Sequence, residues 1–365
     1  MEKSTLFLII FLSISFGLIF QFGIFDTDVS VNTKENTVLN KSEDVKKVLH
    51  KEAPVSYTIA QKAFVSQTFN NCGPASLSMI MSYFGKDVSQ GELASLMRPF
   101  NNPQGGIDDK SIFADEFVSS AKKYGFESLH RPDGDIELLK LFIANDIPVV
   151  VRTWLHPDED IGHFRIVRGY DDITGNFIQD DSYEGPNLRY DYATFERMWK
   201  PFNFGYILVY PQEKAEIVSS ILGSEIDEKV AYTHARERSQ MEIDSGNGDM
   251  YSYFNLSTSQ YYLGNYQESI DAYEKVATEL PSRMLWYQYE VLDAYRRIGD
   301  DEKVLSVATS ILNRENTAYS EMYLLRGYVY EENGERDRAR LEFEKAVFYN
   351  TQNLEARQAL DRINS

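Results

Sequence analysis

The spacing of apolar positions changes several times along the chain, and each change marks a different kind of structure. From Thr5 to Phe25 nearly every side chain is apolar, the polar exceptions being Thr5, Ser13, Ser15 and Gln21. About 20 such residues span a bilayer as a helix, so residues 1–25 read as an N-terminal membrane anchor. Lys3 precedes the run and Asp26 and Asp28 follow it, a charge bias that leaves the N-terminus in the cytoplasm and the body outside. A cleaved signal peptide is the alternative. The run is long for one, and its exit, Phe22-Gly-Ile-Phe-Asp26, offers no small-x-small site. No cysteine follows directly, which excludes a lipoprotein anchor. The expected location is therefore the cell membrane, single-pass, with an extracytoplasmic body. Residues 26–56 are polar, charged and without period, and read as a tether.

Residues 57–211 mix two periods. Pro74 to Phe84 is a helix with one broad apolar face, ended by Gly85. Ser89 caps the next helix, with Glu92 three residues on completing a capping box. Two more helices are expected over Lys110 to Tyr124 and Asp135 to Asn145. The pattern then shortens to β-branched and aromatic runs: Pro148 to Trp154, His163 to Arg168, Phe177 to Gln179 and Tyr206 to Tyr210. A helix over Tyr192 to Trp199 separates the last two. Helices followed by an antiparallel sheet make an α+β domain.

Strand signals stop after residue 211. Residues 212–245 read as connecting helices, or as one further hairpin. From 246 to 365 a motif returns: Tyr261, Gly264, Ala272 and Tyr273, a degenerate copy with Tyr295 and Gly299, then Tyr330, Gly334, Ala339, Phe343 and Ala346. Gly264, Gly299 and Gly334 recur every 35 residues. This resembles the tetratricopeptide repeat, whose period is about 34. Three copies imply an all-α array of stacked hairpins, with Tyr261, Tyr262, Tyr295, Tyr328 and Tyr330 on or near the first helix of each hairpin, the helix that lines the concave face in such arrays. The expectation is a surface that recruits a protein partner or ligand and can be deleted with little effect on the α+β domain before it.

Charge and cysteine usage narrow the function classes. At 365 residues the chain holds two or three units with sizeable cores. A formal net charge of −19 with no basic stripe argues against a nucleic-acid binder. The single cysteine rules out an internal disulfide, and no Cys/His cluster has zinc spacing. That cysteine is either a small buried apolar residue or a reactive thiol.

Its surroundings favour the thiol. Cys72 stands in Gln67-Thr-Phe-Asn-Asn-Cys72-Gly-Pro-Ala-Ser76. Pro74 opens a helix, so the thiol falls at a helix N-terminus, where the dipole favours the thiolate. The Cys72 N–H and the Gln67 amide are candidate donors for a tetrahedral oxyanion. Among the histidines, His50 lies in the tether, His130 beside an Arg-Pro turn and His234 among the later helices. His163 opens a strand in the same domain as Cys72 and is the candidate base. His156 with Asp158-Glu-Asp160 reads as a solvated acidic loop, because the spacing is not a recognised ligand pattern. Neither metal nor cofactor is expected. Asp180 and Asp181 compete to orient His163, and alternation along a strand lets only one reach it. Asp171 and Asp172 read as a turn.

Gln67, Asn71-Cys-Gly-Pro-Ala75, Gly162-His-Phe164, Val167-Arg-Gly-Tyr-Asp171 and Asp181-Ser-Tyr-Glu-Gly-Pro186 together resemble the bacteriocin-processing (double-glycine leader) cysteine peptidase family, in its branch outside the exporters. The resemblance implies a papain-like fold, thiol peptidase chemistry and no metal. It selects Asp181 over Asp180 through a stretch that in the family reads Asp-Pro-Tyr-x-Gly-Pro; here Ser182 stands at the proline position. The combined expectation is a membrane-anchored thiol peptidase acting on a peptide or protein. Cys72 attacks, Gln67 and the Cys72 N–H hold the oxyanion, His163 moves the proton and Asp181 orients it. Acyl transfer to an amine is one rival. A non-catalytic peptide-binding module, with the repeats as its main surface, is the other.

Overall fold

The computed structural model describes residues 50–100, 111–313 and 316–365. The Thr5–Phe25 run expected to span a membrane lies outside them, as does most of the tether. Among the described residues no helix is long and apolar enough to cross a membrane.

Seven strands form one antiparallel sheet: β1 (Ser56–Thr58), β2 (Glu127–Arg131), β3 (Val149–Trp154), β4 (Gly162–Asp171), β5 (Asn176–Asp181), β6 (Gly185–Asp191) and β7 (Tyr206–Tyr210). Their order is β2-β7-β3-β4-β5-β6, and β1 pairs with the last three residues of β4. Both faces are covered, so the central strands carry no polar alternation. Val150, Phe164, Ile166, Ile207 and Val209 pack beneath α1 (Cys72–Tyr83), α2 (Gln90–Met97) and α3 (Ala114–Lys123). Val149, Val151, Val167, Tyr206 and Leu208 face α4 (Ile136–Ala144), α5 (Tyr192–Trp199) and α6 (Ala215–Leu222). Neighbouring strand residues thus serve opposite cores.

Several expectations are refined. Helix α1 is buried on every side from Gly73 to Ser82, not along one face, because both the sheet and its neighbouring helices enclose it. Ser89 does cap Glu92 N–H, but the Glu92 side chain accepts from Tyr124 Oη (2.7 Å) and leaves the box half made. Strands β1, β2 and β6 were not foreseen; each is short or carries exposed positions on one side. Residues 50–56, counted with the tether on sequence grounds, are tied into the body. Lys51 N–H donates to Asn145 Oδ1 (2.8 Å), Asn145 Nδ2 donates to Lys51 O (2.9 Å), and Tyr170 Oη donates to Pro54 O (2.8 Å).

The rest of the chain is helical. Helix α7 (Glu228–Asp244) packs against α8 (Met250–Tyr262), with the Tyr232 and Tyr262 rings stacked at 4.1 Å. The hairpins follow: α8 with α9 (Tyr266–Glu274); a short α10 (Met284–Tyr287) before α11 (Glu290–Ile298) with α12 (Asp301–Asn313); and α13 (Ser320–Glu332) with α14 (Arg336–Tyr349). Helix α15 (Leu354–Asn364) closes the array. Gly264, Gly299 and Gly334 sit between the paired helices at φ of 83°, 83° and 77°, with open space where a Cβ would stand. Their constant spacing therefore reflects a left-handed backbone that only glycine adopts at no cost, rather than close helix approach.

The array does not stand apart from the sheet domain. Trp154, Met198 and Phe202 belong to the same apolar core as Tyr287, Leu292 and Tyr319 of the repeats. Polar ties reinforce this contact: Trp154 Nε1 to Tyr251 Oη (3.2 Å), Asn203 Nδ2 to Ser259 Oγ (3.0 Å) and Gln288 Nε2 to Pro201 O (2.9 Å).

Candidate active site

Cys72 is the first residue of α1, after a loop held by long side chains. Arg98, fully buried, donates to Phe69 O (3.1 Å) and Asn71 Oδ1 (3.0 Å), while Gln90 accepts from Thr68 N–H (2.7 Å) and donates to Ser66 O (3.0 Å). Asn70 takes a left-handed conformation (φ 54°) that asparagine tolerates. No side chain caps the helix at Asn71, so its first N–H groups remain directed at the thiol end.

His163, near the start of β4, faces this helix end from the sheet. Its Nε2–H donates to Asp181 Oδ1 (2.9 Å), which fixes the tautomer, because a carboxylate only accepts. The other ring nitrogen, Nδ1, is left for the Cys72 thiol, which lines the same cleft. Asp181 is wholly buried and saturated with donors. Oδ1 also accepts from the N–H groups of Tyr183 (2.8 Å) and Glu184 (2.9 Å), and Oδ2 accepts from Arg165 Nε (2.6 Å). These partners hold its carboxyl well below the usual carboxylate range. Asp180 goes elsewhere, accepting from Arg168 Nε (2.9 Å) and Tyr83 Oη (2.7 Å).

Electrostatics at the thiol are decided by competition. Burial pushes Cys72 up, but His163, the Phe164 N–H and the Arg152 charge outweigh it, and the net direction is down. Burial likewise opposes protonation of His163, yet Asp181 and Cys72 raise it to about 9. Both shifts favour the thiolate–imidazolium form of the pair.

Gln67 lies across the cleft. Its Oε1 accepts from Ser182 Oγ (2.8 Å) and its backbone N–H donates to Ser182 O (2.8 Å). With Oε1 occupied, the side-chain NH₂ is the end left for an oxyanion. A cleft of about 430 Å³ contains Gln67, Cys72, Arg152, His163, Phe164 and Tyr287 among its walls. Tyr287 comes from the repeats. A Cβ on Gly162 would stand 3.0 Å from its ring, so the glycine before His163 is what admits the tyrosine.

The other histidines have their own partners. His50 meets Ser220 Oγ (3.0 Å), His234 meets Glu225 (2.7 Å), and burial lowers His130 to about 3. His156 contacts Glu159 (3.0 Å) and Glu184. Ser182, Arg165, Arg152 and Tyr287 were not singled out from the sequence. For Ser182 the departure from proline was a visible signal; for the others there was none.

Residues 57–207 match the Peptidase_C39 like family, and residues 251–279 and 320–353 match the tetratricopeptide repeat. The middle of the chain is thus similar to the C39-like peptidases and the later helices to tetratricopeptide repeats. At the level of the family this supports a papain-like cysteine peptidase. Among solved structures, the peptidase domain of Streptococcus ComA, described as a bi-functional ABC transporter involved in quorum sensing, is 24% identical. The match covers 42% of this chain and 100% of that one, with a TM-score of 0.34. A putative C39-like peptidase from Bacillus anthracis is 18% identical over 43% of this chain and 98% of its own, with a TM-score of 0.36. For the repeats, a thermophilic TPR protein of Thermus thermophilus is 25% identical over 39% of this chain and 77% of its own, with a TM-score of 0.31. None of the curated proteins matches the chain.

Proposed function

We propose that this protein is a thiol peptidase whose Cys72 thiolate attacks a peptide carbonyl. The observation that carries this reading is the line Cys72–His163–Asp181, in which a buried carboxylate fixes Nε2 of the imidazole and leaves Nδ1 to the thiol. The Cys72 N–H and the Gln67 amide receive the oxyanion. His163, as imidazolium, gives its proton to the leaving amine, forming a thioester; as neutral imidazole it then activates water to release the acid. Asp181 stays ionised throughout and holds the ring.

The Thr5–Phe25 run anchors the chain in the cell membrane with the body outside. Protease added to cells with a permeabilised outer layer should digest the body while carbonate washing leaves the chain in membranes; a protected body would reverse this topology. The repeats contribute to substrate engagement from a position against the peptidase. Catalysis is tested with a quenched peptide library on the full chain and on Cys72→Ala. Cleavage by the parent and none by the variant is expected, whereas equal cleavage would remove Cys72 from the mechanism. Product release as an amide in the presence of added amines would instead identify acyl transfer.

A further inference from the structure

Arg152 is the one guanidinium on the walls of the thiol cleft among the described residues, and its partners differ from those of the two other arginines beside the site. Arg165 reaches Asp181, Thr153 Oγ1 and the carbonyls of Trp154 and Leu155, and Arg168 reaches Asp180, Ile59 O and Asn187 Oδ1. Arg152 makes a single long hydrogen bond, from Nη1 to Tyr287 O at 3.3 Å, and no ion pair among the described residues. Arg152 lines both the thiol cleft and the adjoining cavity, and among the described residues no other acceptor takes its remaining N–H groups. Aromatic rings hold the group: the Phe164 centroid lies 4.4 Å from the guanidinium carbon, Tyr287 5.7 Å and Phe202 5.9 Å. Phe164 is also its cross-strand partner and the neighbour of His163.

A partly enclosed guanidinium without a carboxylate is costly, and in a chain of net charge −19 carboxylates are plentiful. Glu116 and Glu290 line the adjoining cavity, which shares Arg152, Phe164 and Tyr287 with the cleft; neither makes an ion pair with Arg152, whose charge is supported from a distance by the Cys72 thiolate and Glu116. A flat fork of donors, framed by rings on the wall of the cleft, matches a planar anion held by two parallel hydrogen bonds. We propose that Arg152 binds a carboxylate of the substrate beside the thiol, making the preferred substrate an acidic peptide at that subsite. The shared chemistry is one carboxylate; it comes from an Asp or Glu side chain near the bond attacked, or from the terminus of the peptide. This inference rests on the reading of Cys72 as the attacking thiol.

Because Cys72 is the only cysteine, alkylation of the full chain reports on this site alone. Iodoacetate carries a carboxylate and iodoacetamide does not. The iodoacetate-to-iodoacetamide rate ratio should exceed that of glutathione by about tenfold or more, with saturation in iodoacetate, as a charge-assisted contact implies. Arg152→Gln should lose that preference, and Arg152→Lys should keep part of it as a point charge without the fork. An unchanged ratio in Arg152→Gln would leave the imidazolium responsible and overturn the proposal. Should that variant not fold, protection of the parent protein decides. N-acetyl-Ala-Glu amide, N-acetyl-Ala-Ala acid and N-acetyl-Ala-Ala amide are each tested for slowing iodoacetamide labelling. Protection by the first identifies a side-chain carboxylate, and by the second a terminal one. Equal or no protection by all three overturns the proposal. A Cys72 inert to iodoacetamide at neutral pH would instead sink the thiol mechanism itself, so the two failures are distinct.

Discussion

Cys72 and His163, of opposite tendency, are stabilised in their charged forms by each other, and this sets a pH window. The thiolate exists above the lowered Cys72 value, and the imidazolium exists below about 9. Both are present only between the two, so kcat/KM should be bell-shaped, with an acid limb below the ordinary thiol value of about 8.5 and an alkaline limb near 9. His163→Ala removes the main force opposing burial, so the thiol should become reactive only above its ordinary range. An unshifted alkylation profile in that variant would show that the helix N-terminus alone activates Cys72. Gln67 and Ser182 form the second residue-level unit. Gln67→Ala should lower kcat by about 10²–10³ with little change in KM, as loss of one oxyanion donor does. Ser182→Ala, which only releases the amide to rotate, should cost less, and its effect should vanish in the Gln67→Ala background. Additive losses would separate the two residues.

At the scale of elements, adjacent carboxylates on β5 do different work. Asp180 ties the strand to Arg168 on β4 and Tyr83 on α1, whereas Asp181 ties it to Arg165 and His163. Removing either charge leaves a buried guanidinium uncompensated, at a cost of about 3–5 kcal/mol. Asp180→Asn should therefore lower the melting temperature without moving the pH profile of alkylation, whereas Asp181→Asn should do both. A profile shifted by Asp180→Asn would put the orienting role on the wrong strand position. Cys72, Gln67, His163 and the two aspartates were legible in the sequence because each sits in a short local pattern: a Gly-Pro helix start, a strand opening, a strand end. Most helices and the long strands were legible for the same reason, since their periods are local. Strands β1 and β6 were not, because a short or half-exposed strand takes its identity from its partner. Arg152 and Arg165 were illegible as well. A buried arginine reads as an ordinary polar strand position until the acceptors around it, drawn from separate segments, are assembled.

For the whole molecule, the relation between the peptidase and its repeats departs from the expectation of a separable recruiting tail. Trp154, Met198 and Phe202 are buried by repeat residues, and each would be worth about 2 kcal/mol if exposed. Their sum, about 6 kcal/mol, falls at the lower end of the net stability of a typical domain, about 5–15 kcal/mol. Deleting residues 246–365 should therefore unfold the peptidase or leave it prone to aggregate, abolishing cleavage of small peptides as well as large ones. A stable, active fragment would restore the separable tail. The deletion alone does not distinguish scaffold from participant, and Tyr287 does. It carries the wall that the repeats lend to the cleft, facing Gly162 beside His163. Tyr287→Ala opens the wall and loosens Arg152, whose only hydrogen bond among the described residues is to the Tyr287 carbonyl and whose ring contacts include Tyr287. It should raise KM for a peptide substrate several-fold while the intrinsic rate of Cys72 alkylation by iodoacetamide stays close to the parent's. Loss of alkylation together with KM would mean that the repeats hold the thiol itself in place. An unchanged KM would mean that they hold only the fold.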